Sequence, residues 1–445
     1  MPTLLADPLV RLVVATRTIA ILGAPVTLLL VAVLRPPEEQ GFYFVFTNVQ
    51  AVAFVFEYGV GAMLVQFAAH SSGPIASHGA TGATDVLEGA AVAATLRAAR
   101  RWFGTAAVVV LAVVLPLGFV LFGRAADTEG VSYAVPWLVM AISVGSYLAI
   151  IPFICVLEGS GHLRRVQRMR LIQVTAVTAC LWSLIPVVGS LYAIAAANLL
   201  SLLVAGVWLM VAFPGLVSRT ARVAAAAPDA ALHSAQSRTA VAWLAAFVGP
   251  QLLAPIVFHY QGPVSAGQLG LSLAAASAPL MFAVSWLQAR YPEYGSLAAR
   301  NQLGLLDATA KRATAQAVLV CMVLSAALLG MLVVVRQAYP PLASRFLPLG
   351  GVASLSVASL ASLLYQAMAG HLRAHREETL VWPVVIGMTV AVAATLVGAR
   401  HGPTIAAAAY TVGIVFVLLP WAAAVFVRRY RVLNAGRQAA VEPQR

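Results

Sequence analysis

The sequence predicts an all-α membrane protein of about twelve transmembrane helices, arranged as two pseudo-symmetric halves of six helices each. Three features of the 445-residue chain lead to this fold class: long apolar stretches, arginines concentrated in alternate loops, and a repeat across half the chain. Hydrophobic residues make up 61% of the sequence and charged residues 10%, with a mean hydropathy of +0.89. A soluble domain needs far less apolar sequence than this to fill its core.

Each apolar stretch is about long enough to cross a bilayer as a helix, which takes roughly 20 residues at about 1.5 Å each. Helices are predicted because the stretches are continuous and lack the alternating pattern of barrel strands. The first stretch is predicted to be a retained helix, since no small-residue cleavage site follows it. The predicted spans are 16–34, 42–66, 102–122, 134–156, 171–188, 190–212, 240–259, 268–289, 315–335, 347–369, 381–398 and 404–427.

The basic residues predict the orientation of these helices. Of the 28 Lys and Arg residues, 23 fall on one set of alternating loops and five on the other. Cytoplasmic loops accumulate Lys and Arg, so both termini are predicted to be cytoplasmic. The net charge of +13 therefore reflects topology, and no nucleic-acid partner is expected. The five outer residues are Arg35, Arg124, Arg336, Arg345 and Arg400.

An internal repeat predicts that the two halves share one design. Three residues near the first two spans recur 226 positions later, and the tetrapeptide GHLR follows both the fourth span (161–164) and the tenth (370–373). Six spans per half give both copies the same orientation, an architecture common in transporters that bind substrate between the halves. The predicted organisation is an N-terminal half (1–213), a cytoplasmic linker (214–239), a C-terminal half (240–427) and a basic cytoplasmic tail (428–445). The recurring residues are Gly23, Pro37 and Gly41, and then Gly249, Pro263 and Gly267.

Three segments near the N-terminus carry a family resemblance: PPEEQGFY (36–43), FEYGVG (56–61) and LVQF (64–67). Together they resemble the opening of Wzx-type polysaccharide (O-antigen) flippases of the multidrug/oligosaccharidyl-lipid/polysaccharide (MOP) exporter superfamily. That pattern consists of a Pro-acidic-x-Gly-x-Tyr turn, an acidic-x-Gly-x-Gly segment and a polar or basic residue near the inner end of helix 2. Glu57 stands where members often have aspartate, and Gln66 stands where many have arginine.

The resemblance implies a MATE/MOP-like fold in the bacterial inner membrane, with helices 1, 2, 7 and 8 lining a central cavity. It implies a flippase that moves undecaprenyl-pyrophosphate-linked oligosaccharide to the outer leaflet by alternating access, for polysaccharide biosynthesis. The expected partners are the lipid-linked oligosaccharide, membrane lipids, and a polysaccharide polymerase with glycosyltransferases. No cofactor is expected. Transport is expected to be coupled to H⁺ or Na⁺.

Glu57 is the candidate coupling residue. It is the only one of the 15 carboxylates that falls inside a predicted span. A charge within the membrane costs free energy unless it is paired, hydrated or protonated, and such residues commonly have a function. Two interpretations remain open: a proton- or cation-responsive group facing the cavity, or a helix tie to a residue such as Arg17.

Five residues are candidates for substrate binding. Arg17 and Arg290 lie at the inner ends of helices 1 and 8, where guanidinium groups match the pyrophosphate of a lipid carrier. Gln50, Gln251 and Gln288 lie on helices 2, 7 and 8 and are candidates for sugar contacts. The alternatives are snorkelling for the arginines and interhelical hydrogen bonding for the glutamines.

Other functional classes fit the sequence less well. A MATE-like ion-coupled drug antiporter would be expected to use several buried carboxylates, and lipid II flippases usually carry two further helices. A membrane polysaccharide polymerase or glycosyltransferase would be expected to have a sizeable outer loop, but every outer loop here is short. No phosphate-binding glycine loop, metal cluster or nucleophile triad occurs in the sequence, so the chain is predicted not to be an enzyme.

Overall fold

A computed structural model describes residues 7–71, 90–222, 244–375 and 377–441, and these are helical almost throughout, with no strand among them. The chain divides into two compact units, Met1–Ala231 and Leu232–Arg445. The division falls inside the linker predicted at 214–239, although residues 223–243 lie outside the described ranges.

The N-terminal unit contains the first predicted half. A π-helical turn, Glu158–His162, joins its fourth and fifth helices. Its helices are α1 (Pro8–Leu34), α2 (Pro37–Ser71), α3 (Ala90–Glu129), α4 (Ala134–Leu157), α5 (Leu163–Val188), α6 (Ser190–Ala212) and the short α7 (Leu216–Arg222).

The C-terminal unit begins with helical residues 244–251, which lead into the first helix named below. A second π-helical turn, Gly413–Leu418, precedes its last helix. Its helices are α8 (Leu253–Gln288), α9 (Tyr291–Ala299), α10 (Leu303–Ala338), α11 (Pro340–Ala343), α12 (Leu349–Ala374), α13 (Val381–Gly398), α14 (Pro403–Val412) and α15 (Leu419–Val441).

The helices match the predicted spans. Within the described residues, nine helical stretches are long and apolar enough to cross a membrane. Two of them, Ala134–Val188 and Leu244–Ala299, are 55 and 56 residues long, and each covers two predicted spans, although residues 240–243 of the span 240–259 lie outside the described ranges. The nine stretches thus hold eleven predicted spans, and α2 contains the remaining one, 42–66. The predicted all-α, multi-pass membrane fold is confirmed.

Close packing holds the helices together, because apolar side chains gain little from leaving lipid for another helix. In the N-terminal unit, the fully buried Trp137 of α4 lies so near Gly118 of α3 that a Cβ there would overlap its ring. In the C-terminal unit, a Cβ on Gly413 would come within 2.5 Å of the Ala391 backbone. Small residues therefore allow neighbouring helices to pack with their backbones close together.

The internal repeat is visible in both units. Pro37 begins α2 after a short turn, and Pro263 resumes α8 directly after Gly262, whose φ of +81° interrupts that helix. Gly23 packs against Thr178 of α5, where a Cβ on the glycine would lie 3.3 Å from Cγ2 of the threonine. Its counterpart Gly249 packs against Met388 of α13, where a Cβ on the glycine would lie 3.1 Å from Sδ of the methionine. In each half, the first helix therefore packs on the fifth at the position that the repeat predicts.

The two copies of the GHLR tetrapeptide have similar surroundings for the histidine but different backbone conformations. Both histidines are buried, and each packs edge-on against a phenylalanine near the end of its half: His162 on Phe213 at 5.0 Å and His371 on Phe426 at 5.5 Å between ring centroids. Gly161 sits in the π-helical turn with φ +93°, whereas the second copy runs on inside α12. The shared sequence thus specifies a buried histidine at the same level of each half.

Candidate functional site

At the predicted outer end of the N-terminal unit, one carboxylate joins three helices. Glu39 in the first turn of α2 pairs with Arg35, at 3.1 Å from Nε to Oε2. Its other oxygen accepts hydrogen bonds from the backbone N–H and the hydroxyl of Ser190, the first residue of α6, the hydroxyl at 2.7 Å. Gly189 before it has φ +106°, a conformation favoured by glycine. The acidic turn of the resemblance therefore caps a helix and neutralises an arginine that is predicted to be on the outer side.

A second outer arginine is bound to the backbone. Arg336, near the end of α10, donates from Nη2 to the Leu347 carbonyl at 2.9 Å. Arg35 and Arg336 thus stabilise the helix ends at which they occur.

Within the span of α2, Gln50 forms a reciprocal amide pair with Asn198 of α6. Gln50 Nε2 donates to Asn198 Oδ1 at 2.7 Å, and Asn198 Nδ2 donates back to Gln50 Oε1 at 3.2 Å. Asn198 Nδ2 also donates to the Ile194 carbonyl at 2.8 Å. Two amides that bond in this way satisfy much of each other's polarity inside the membrane. This contact corresponds to the interhelical interpretation of Gln50.

A neighbouring polar group joins α5 to α4 and α6. Gln173 Nε2 donates to Ser201 Oγ at 2.8 Å and lies 3.3 Å from the Tyr147 hydroxyl oxygen. The first unit therefore carries two layers of polar contacts between spans. Hydropathy alone did not single out Asn198 or Gln173, because each lies in a helix that is apolar overall.

The remaining predicted binding residues are distributed over both units. Arg17 is exposed on α1, a helix that buries only Gly23, Thr27, Val31 and Ala32. Gln251 is half-buried, and Gln288 is exposed at the end of α8. Arg290, just after α8, is exposed and pairs with Glu293 of α9, at 3.0 Å from Nη1 to Oε2.

The candidate coupling residue lies outside the described side chains. Glu57 belongs to α2, whose backbone is described through this segment, but the description of side chains stops at residue 51 and resumes at 61. Its assignment as a coupling group therefore remains a prediction from the sequence.

A buried polar cluster that the sequence did not predict lies in the C-terminal unit. Asp307 of α10 accepts a hydrogen bond from the Tyr430 hydroxyl of α15 at 2.6 Å. Its other oxygen is 3.5 Å from Nε2 of His371, on α12. The sequence prediction placed Asp307 in a loop because its span began at 315. The structure starts α10 twelve residues earlier, at Leu303, and so brings this carboxylate onto a packed helix.

These contacts divide the polar side chains into those that bond to other helices or loops and those that are exposed and accessible to a ligand. Gln50, Arg35 and Arg336 bond to other parts of their own unit, whereas Arg17 and Gln288 present exposed side chains. Among the described residues, no group of three or more His, Cys, Asp or Glu side chains is arranged to hold a metal ion.

Comparison with known proteins identifies structures of similar fold but no protein of similar sequence. No protein-family model matches the chain, and no curated protein matches it in sequence. Several solved structures share its fold over nearly the whole length.

Three of these structures are transporters of the MOP superfamily. An inward-facing multidrug resistance MATE family transporter aligns with a TM-score of 0.56 and 12% identity, over 91% of this chain and 99% of its own. An outward-facing multidrug resistance MATE family transporter aligns with a TM-score of 0.52 and 15% identity, over 97% and 96%. A MOP superfamily transporter from Pyrococcus furiosus, described as having a binding pocket of reverse polarity, aligns with a TM-score of 0.53 and 13% identity, over 96% of each chain. The protein therefore has the fold of MATE/MOP transporters.

Proposed function

We propose that this protein is a flippase that moves lipid-linked oligosaccharide from the cytoplasmic to the outer leaflet of a bacterial inner membrane by alternating access. The fold supports membrane transport in general, since transporters of this fold are known in inward-facing and outward-facing states. The choice of substrate rests on the charges of this chain and on its resemblance to Wzx-type proteins in residues 36–67.

One observation carries the choice of substrate: Arg17, at the predicted inner end of the first span, has an exposed guanidinium. A guanidinium binds phosphate oxygens through paired, charge-assisted hydrogen bonds and repels a cationic drug. The lipid carrier of an oligosaccharide bears a pyrophosphate at the membrane surface. A basic group at the predicted inner end of α1 suits that headgroup when it enters from the cytoplasmic leaflet.

The second candidate function is ion-coupled antiport of a drug or other small molecule. The MATE transporters of similar fold favour it, and the fold alone is compatible with both substrates. Recognition of a cationic drug within the membrane calls for carboxylates, and Glu57 is the only one in a predicted span. In the P. furiosus transporter, the reverse polarity of the binding pocket suggests a different function, which illustrates that charge within this fold bears on substrate class.

Depletion of the protein in its native host tests the proposal. We expect lipid-linked oligosaccharide to accumulate with its glycan on the cytoplasmic face, measured by lipid extraction and by protection of the glycan from an impermeant enzyme. Re-expression of the wild-type chain should restore export. Normal glycan export in depleted cells would contradict the proposal.

A parallel measurement addresses the antiporter. The chain is expressed in a drug-sensitive host, and resistance to a panel of cationic drugs and efflux of a cationic dye are recorded. We expect no change in either. Dye efflux driven by a proton or sodium gradient would favour the antiporter.

A further inference from the structure

The buried cluster at the predicted cytoplasmic end of the C-terminal unit has the composition of a proton-binding site. The side chains of Asp307 and His371 are only 14% and 7% exposed, yet both can carry a charge. Histidine is the side chain that ordinarily changes charge near neutral pH, and a nearby carboxylate favours its protonated form. The cluster joins three helices, because Tyr430 of α15 donates to the carboxylate that faces His371 of α12.

The contact between the two charged side chains depends on charge more than on a hydrogen bond. Nε2 of His371 and Oδ1 of Asp307 are 3.5 Å apart, beyond the usual N–H···O range of about 2.7–3.2 Å. Coulombic attraction acts at this distance and disappears when the imidazole loses its proton. Loss of the proton therefore removes an attraction between α10 and α12 and weakens the contact between these helices.

The internal repeat places a matching buried histidine in the N-terminal half. His162 occupies the same place in the N-terminal half, buried against Phe213 as His371 is against Phe426. The helix equivalent to α10 in that half is α3, whose only acids, Asp127 and Glu129, lie at its opposite end. Among the described residues, the third helix of the half therefore carries an acid at this end only in the C-terminal half.

We propose that Asp307 and His371 form a proton-binding site that holds the inner part of α15 against α10 and α12 when the pair is protonated. Tyr430 transmits the state of the site, since its hydroxyl bonds to Asp307 at 2.6 Å and its ring lies 6.0 Å from that of His371. A rise in cytoplasmic pH removes the proton and loosens this part of α15. The site does not depend on which substrate the protein carries.

Other titratable and charged groups lie on the same helices, in the segment that follows α12, and on the neighbouring α9. The ring of His375, on the residue after α12, is 5.5 Å from that of His371. Two ion pairs link α12 and α15 to the segment after α12, Arg373 with Glu378 at 3.3 Å and Arg429 with Glu377 at 4.0 Å. Lys311, one turn after Asp307, is exposed, and Tyr291 of α9 packs against α12.

Hydrogen–deuterium exchange of the full-length protein in lipid nanodiscs, without substrate, tests the proposal. Exchange is followed at about pH 6 and pH 8.5 and corrected for the intrinsic rate, with peptides from α15 compared with peptides from α6. We expect α15 around Tyr430 to exchange about tenfold faster at the higher pH, because loss of the imidazole proton removes the attraction that holds the cluster together. The corrected exchange of α6 should not change with pH.

Four variants separate titration of the pair from simple packing. His371→Gln and Asp307→Asn should each abolish the pH dependence, whereas His162→Gln, the matched change in the other half, should leave it intact. Tyr430→Phe should raise the exchange of α15 already at pH 6. The proposal is wrong if wild-type α15 exchanges equally at both pH values, if His162→Gln removes the pH dependence as fully as His371→Gln, or if Tyr430→Phe exchanges like wild type. Because no substrate is present, these results are independent of the flippase assignment.

Discussion

At the scale of single residues, the polar side chains of the N-terminal unit fall into those bound to another helix and those exposed on their own helix. Gln50 and Glu39 belong to the first group and Arg17 to the second. The sequence predicted all three as notable positions but could not separate the groups, because a bonded partner such as Asn198 lies 148 residues away along the chain.

Arg17→Ala is predicted to lower the affinity for lipid-linked oligosaccharide about tenfold or more, since a charge-assisted hydrogen bond contributes roughly 1.5–3 kcal/mol. Arg17→Lys should restore only part of the affinity, because an ammonium group cannot make the paired contact. The matched control is Arg11→Ala, which removes an exposed arginine from another face of α1. Binding is measured with the purified protein in nanodiscs. Equal affinity of the Arg17→Ala variant and wild type would assign Arg17 to snorkelling.

Glu57→Gln is predicted to abolish ion-coupled transport while the protein remains folded, because the amide cannot take up or release a proton. Export is measured against pH, and thermal unfolding verifies the fold. Unchanged export with the wild-type pH dependence would exclude the coupling role.

Gln50→Ala and Asn198→Ala are each predicted to lower stability by about 0.5–1 kcal/mol, and the double variant by less than the sum, as expected for one interhelical contact. Unfolding of the four proteins in a double-mutant cycle measures the coupling. If Gln50 binds sugar instead, Gln50→Ala will lower substrate affinity while Asn198→Ala will not, and the two stability losses will add.

At the scale of elements, sequence patterns predicted where helices run but not how some of them join. The apolar stretches located each span, and Pro37 and Pro263 marked the starts of equivalent helical segments. Hydropathy gave no indication that α10 begins at Leu303, because its first turns are polar and are held by packing within the unit. Nor did the identical GHLR copies indicate a π-helical turn in one half and a continuous helix in the other.

Gly161→Ala is predicted to destabilise the protein by about 1–2 kcal/mol, since the φ of +93° in the turn between α4 and α5 is strained for any residue with a Cβ. The matched control is Gly104→Ala in α3, where a Cβ would have no heavy atom within 4 Å. That change should be neutral or stabilising, because alanine favours helix over glycine. Thermal unfolding in detergent measures both. Equal stability of the two variants would contradict the assigned role of the turn.

At the scale of the whole molecule, duplication explains why two units of different sequence keep the same contacts. Gly23 and Gly249 pack on equivalent helices, and His162 and His371 are buried at equivalent places. The halves differ in their ionic groups: Glu57 occurs in the first, and the buried Asp307–His371 pair occurs in the second. Fold class followed from sequence because composition and periodicity act over many residues. Individual charges had to be placed by the structure, since their partners come from distant helices.

The most direct test of the flippase assignment is transbilayer movement by the purified protein in proteoliposomes. Lipid-pyrophosphate-linked oligosaccharide is placed in one leaflet, and the exposure of its glycan to an impermeant glycan-binding protein is followed over time. We expect protein-dependent, saturable movement that Arg17→Ala slows and Arg11→Ala does not. Proteoliposomes that carry a cationic dye against an ion gradient, and leave the glycan lipid in its original leaflet, would contradict it.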